Sequence, residues 1–150
     1  MWADTLQHAE QVHLLRVCFW GGISVLAGTA LLVLALVHRR ASAIIARFAS
    51  VCVLLGAAEI VAAALGYRSV PLRDLSAATR LDRVAWLLLG LYVGVAAVGI
   101  TLLVASYALP KSSTDENNHR LPMVGLGTAT LLHGIALATL DLLLIADISR

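Results

Sequence analysis

Three ionisable residues interrupt the apolar runs of this 150-residue chain. Glu59 sits in Gly56-Ala57-Ala58-Glu59-Ile60-Val61, His133 in Leu132-His133-Gly134, and Asp141 in Leu140-Asp141-Leu142. A charge at the centre of a lipid bilayer costs about 2.5–3.5 kcal/mol on insertion scales, so such side chains turn inward and pair or stay neutral. A Glu–His–Asp series of this kind relays protons or binds a cationic substrate, because a carboxylate accepts a proton and an imidazole exchanges one near neutral pH. The plainer chemistry is a hydrogen bond between helices, Glu59 to His133, with Asp141 close enough to the surface to be hydrated. Bonds of that kind average about 0.6 kcal/mol in membrane bundles and need no function to be tolerated. No second relay carboxylate faces the set from the first or third apolar run, which favours the plainer reading.

The elements that must hold these residues are Val17–Val37, Phe48–Gly66, Val84–Leu109 and Met123–Ala146. A hydrocarbon core about 30 Å thick takes roughly 20 apolar residues as a helix. The chain is 60% hydrophobic and 13% charged, whereas a soluble domain carries about 25% charged residues. Val84–Ser106 has no charge at all, so a soluble bundle with a polar stripe on each helix is excluded. The fold class is all-α, a four-helix antiparallel transmembrane bundle forming one domain over residues 1–150. Its surroundings are the lipid bilayer.

Depth follows from direction. The second and fourth spans run the same way. Glu59 then lies roughly 16 Å in from Phe48, and His133 roughly 15 Å in from Met123, at 1.5 Å per residue. The two meet if the helices touch. Asp141 lies roughly 12 Å deeper and about 80° around the helix from His133, so that His133, Leu137 and Asp141 line one wall.

The remaining chemistry-bearing residues are scattered. His8 and His13 precede the first span, His38 ends it, and His119 falls in the last loop, leaving His133 as the internal histidine. Axial haem ligands must face each other at one depth, which this pattern does not allow. No Cys/His cluster supports zinc. Cys18 and Cys52 lie near opposite faces and cannot approach within the roughly 7 Å that a disulfide needs. No cofactor, metal site or catalytic residue is indicated, and nothing marks the chain as an enzyme. A net charge of +2 spread over the loops leaves no nucleic-acid footprint.

The start of the chain has no basic stretch before its apolar run and does not read as a cleavable signal. Thr5 to about Arg39 reads as one helix with a wet beginning. Tyr67–Arg83 reads as a solvated connector or a short interfacial helix, and Pro110–Asn118 as a polar loop. For orientation, Arg39, Arg40, Arg47, Lys111 and Arg120 on one side nearly balance Arg16, Arg68, Arg73, Arg80, Arg83 and Arg150 on the other. The first loop is the shortest and holds three arginines without an acid. That tips it to the cytoplasm, with both termini outside.

Small residues mark where helices meet. Ala58, Ala62 and Gly66 repeat at four in the second span, Gly90 and Gly94 form a GxxxG in the third, and Thr130, Gly134 and Ala138 repeat in the fourth. Such faces let membrane helices approach. Most must serve the bundle itself, and one left over would join a second copy or a larger membrane complex.

The last span, with Leu121, Pro122, Gly125, Gly127, Leu131, Gly134, Leu137 and Asp141 at their spacing, resembles the closing helix of a bacterial four-pass membrane family of unknown function. A glutamine stands in that family where this chain has His133. The resemblance covers this helix alone and implies a bacterial inner-membrane protein of similar layout, with no activity attached. The four-pass glutathione-linked enzymes carry a polar signature on their second span that is missing here. The small multidrug exporters carry a glutamate in their first span, where this chain has none. The expected role is a non-enzymatic structural, interaction or accessory subunit. The alternative is a small transporter or proton-coupled carrier using Glu59, His133 and Asp141.

Overall fold

The computed structural model describes residues 2–37, 42–70, 75–108 and 120–149, and every regular element among them is a helix. These are α1 (Trp2–Val37), α2 (Ala43–Arg68), α3 (Leu75–Ala108) and α4 (Arg120–Ile148). Each covers one of the apolar runs within the described residues, and all four are long and apolar enough to cross a membrane. The helices extend beyond the runs because ordinary helix-forming residues flank them. α1 includes the polar start through His8 and Glu10, and α3 begins at Leu75 and runs unbroken into its span, so the later part of Tyr67–Arg83 is helical and continuous with the third span. Arg39 and Pro110–Asn118 lie outside the described residues.

The ends are built from local signals. The Ser42 hydroxyl accepts from Ile44 N–H at 3.3 Å, capping α2. At the other end Ser69 donates its N–H to Gly66 O at 3.0 Å. Pro122 occupies the first turn of α4, where a missing N–H costs nothing. Inside the helices the hydroxyls of Ser50, Thr101, Thr128, Thr130 and Thr139 donate to the carbonyl four residues back. In hydrocarbon that is how a hydroxyl is satisfied without water.

Glycine contacts fix the arrangement. A Cβ at Gly21 would lie 2.7 Å from Gly56 O, and one at Gly28 would lie 2.8 Å from Ala49 O, so α1 and α2 touch backbone to backbone and run antiparallel. Gly99 sits against Leu131, and Gly134 against Ala96, which makes α3 and α4 antiparallel too. Gly125 sits against Ile44, and His133 meets Glu59, so α2 and α4 are parallel. Among the described residues the extended interfaces are α1–α2, α2–α4, α1–α4 and α3–α4. α4 is the central helix, and α3 leans on it from outside.

Polarity is reversed relative to a water-soluble protein. The largest fully buried side chains are His133, Asp141 and Ser106, while Phe19, Leu26, Leu36, Leu54, Leu87 and Tyr107 are exposed. Burying small and polar groups while presenting large apolar ones to the surroundings is stable only where the surroundings are hydrocarbon. The chain is a multi-pass membrane protein.

Two expected packing faces are displaced. α2 buries Ala49, Cys52, Gly56, Glu59 and Ala63, a three-and-four seam, and leaves Ala58 and Ala62 exposed. Gly66 does pack, against Leu14. α3 buries Ala78, Leu81, Ala85, Gly99 and Ser106, a seven-residue phase that puts Gly90 and Gly94 on the far side. A Cβ at either glycine would meet nothing within 4 Å, so that GxxxG does not pack inside the chain. Of the α4 set, Gly134 is buried, and Thr130 and Ala138 are half-buried.

Candidate functional site

The polar centre assembles from the middle of the bundle. His133 lies near the midpoint of α4, Trp20 near that of α1 and Tyr92 near that of α3, while Glu59 projects from the buried seam of α2. His133 Nδ1 and Glu59 Oε1 are 2.7 Å apart, with His133 1% exposed and Glu59 9%. With Glu59 as the accepting carboxylate, the bond is donated by the Nδ1–H of His133. The second carboxylate oxygen, Glu59 Oε2, and His133 Nε2 are both buried without a hydrogen-bond partner. Trp20 packs edge-on against the imidazole, its ring centroid 5.9 Å away at 68°.

The pair opens on a cavity of about 250 Å³ lined by Val17, Leu55, Ala58, Glu59, Ala62, Tyr92, Val95, His133 and Leu137. All four helices contribute to it. Ala58 and Ala62, expected at a helix interface, instead form its rim on the outer face of α2. The cleft exists because α3 packs along α4 and has no extended interface with α2 among the described residues.

Asp141 is placed differently from the expectation. It is 2% exposed rather than near the surface, and its Oδ1 lies 3.3 Å from His13 Nε2. His13 itself is buried, so the expectation that His133 alone is internal does not hold. The reason is helix length. α4 continues past Asp141 to Ile148 and covers the early turns of α1, where His13 stands. One turn on from His13 in α1, Arg16 Nη1 donates to Asp147 Oδ2 at 3.4 Å, with both side chains more than a third exposed. His133, Leu137 and Asp141 are buried at successive four-residue steps along α4, so two imidazole–carboxylate pairs share that wall.

Sequence reading missed His13, Trp20 and Tyr92. Tyr92 carried a usable signal, because Trp and Tyr in membrane helices collect at the interfaces and it lies well inside Val84–Leu109, whereas Trp20 stands near the start of its apolar run and gave none. His13 lies on the α1 face that buries Gly28, Ser24 and Gly21, reached by continuing that seam backward through Val17 in steps of three and four.

Among the described residues no three His, Cys, Asp or Glu side chains converge as a metal site. Cys18 and Cys52 are free thiols. No protein-family model, curated protein or solved structure matches the chain. The likeness of the last span to a four-pass family therefore adds nothing at the site, and chemistry alone must argue its use.

Proposed function

We propose that the protein is a small non-enzymatic carrier of the bacterial cytoplasmic membrane that couples the binding of a small solute to protonation of Glu59 and His133. The observation carrying this reading is the cavity at mid-bundle with that buried pair in its wall and two acceptor atoms unpartnered. The cleft gives a ligand access to the pair from outside the bundle, which a bond serving only to hold α2 to α4 does not require. The His13–Asp141 pair, toward the chain termini, supplies a second group for proton passage on the same wall. The short arginine-bearing first loop favours a cytoplasmic position for that loop and both termini outside.

Vesicles containing the protein and a trapped pH-sensitive dye, challenged with a panel of small solutes across an imposed pH gradient, test the reading. Wild type moves protons with at least one solute. Glu59→Gln moves none while eluting as wild type in gel filtration. Proton movement with no solute, or equal movement in both proteins, refutes it.

A second reading, an accessory subunit that packs with itself or a larger complex, is favoured by the open Gly90–Gly94 face on α3. Under it, Gly90→Leu with Gly94→Leu breaks a co-purifying assembly and leaves the monomer folded.

A further inference from the structure

Building on the carrier reading, we infer that the Glu59–His133 cavity takes a small lipophilic monocation, a single ring bearing a charged amine, which enters sideways from the hydrocarbon between α2 and α3 and displaces one proton.

Size comes from the cavity. A void of 150 Å³ accommodates benzene, so about 250 Å³ holds one ring with a short branched substituent. Walls of Leu55, Val95 and Leu137 require most of that ligand to be apolar.

Charge comes from the pair. With the carboxylate ionised and the ring neutral, Glu59 and His133 together carry one negative charge and present Oε2 and Nε2 as unpartnered acceptors. A buried charge in that state is costly. A proton on Nε2 neutralises it from within, and a cationic ligand neutralises it from the cavity. Either one removes the need for the other, so the proton leaves to the aqueous phase as the cation enters. Among the described residues the surrounding elements offer no competing cation. α1 brings Trp20 beside the ring, and its His13 and Arg16 are engaged by Asp141 and Asp147. α2 brings Cys52, α3 brings Tyr92, whose ring also suits a cation, and α4 brings Asp141, already paired with His13. An anion finds no positive group in the cavity wall.

The route comes from exposure. Ala58 and Ala62 at the rim are on the outer face of α2, level with the buried pair, so the cavity mouth opens to acyl chains rather than to water. A ligand must first dissolve in the bilayer, which selects lipophilic cations.

The test uses the full chain in phosphatidylcholine nanodiscs and calorimetric titration with benzyltrimethylammonium, whose charge is the same at every pH. Binding is expected to saturate and to weaken by about tenfold per pH unit on the acid side, the slope for exchange of one proton. Neopentylbenzene, the same shape without charge, should bind about tenfold or more weakly. Tetraphenylphosphonium, with four rings, should be excluded. Glu59→Gln should abolish binding. Ala58→Leu, at an exposed position on the outer face of α2, should block the mouth without disturbing the fold. Binding that ignores pH, binding of neopentylbenzene equal to that of the cation, or binding retained in Ala58→Leu overturns the inference. Proton movement with other solutes in vesicles, together with no binding of benzyltrimethylammonium, overturns this substrate class and leaves the carrier reading standing. Binding with proton release but no flux does the reverse.

Discussion

Single side chains in this protein divide by what surrounds them. Glu59 with His133, and Asp141 with His13, are pairs closed off from water, whereas Arg16 with Asp147 is more than a third exposed. Double-mutant cycles on the two buried pairs, followed by unfolding in mixed micelles, should give couplings of about 0.6 kcal/mol and up to about 1.7 kcal/mol. Arg16→Gln should change stability by about 1 kcal/mol or less, and the change should shrink in high salt, because an exposed pair is screened.

Helices in this chain meet through glycine, and the phase of each seam decides which glycines matter. Gly21 and Gly56 lie backbone to backbone, whereas Gly22, Gly90 and Gly94 have open space where a Cβ would go. Gly56→Leu should therefore cost about 1–3 kcal/mol or more by overpacking, and thermal unfolding in detergent will measure it. Gly22→Leu and Gly90→Leu should fall within about 0.5 kcal/mol of wild type, as surface changes do. The small-residue repeat alone did not distinguish these cases. Ala58, Ala62, Gly90 and Gly94 recur at the same spacing as true contacts. Only the partner helix, by choosing which face of α2 or α3 it covers, separates a packing stripe from a rim or an open face.

At the scale of the whole molecule the asymmetry is in α3. Among the described residues its one extended interface is with α4, while α1, α2 and α4 enclose the centre, and that offset opens the cavity between α2 and α3. Orientation belongs to this scale as well. With the first loop in the cytoplasm, a membrane-impermeant maleimide applied to intact cells should label Ser149→Cys in a background with Cys18 and Cys52 changed to serine. Protection of that cysteine until the membrane is opened would place the termini inside.

Much of the architecture was legible from residue types because the bilayer imposes length and polarity on any helix that crosses it. Four apolar runs of the right length predict four spanning helices whatever their neighbours, and Glu59 and His133 fall at matching depths by counting residues along parallel spans. The helices α1, α2, α3 and α4 begin before their apolar runs, since hydropathy marks where lipid begins and not where the helix starts. Azimuth was the missing quantity. A nearly uniform apolar helix gives no sign of which side faces a partner, so the exposure of Ala58 and Gly90, the burial of His13 beneath the end of α4, and the place of Trp20 and Tyr92 at the pair were settled only when the helices packed. The sequence by itself determined that this chain lies in a membrane with a few ionisable groups inside it. The tertiary structure decided which of those groups touch, and that space remains beside them.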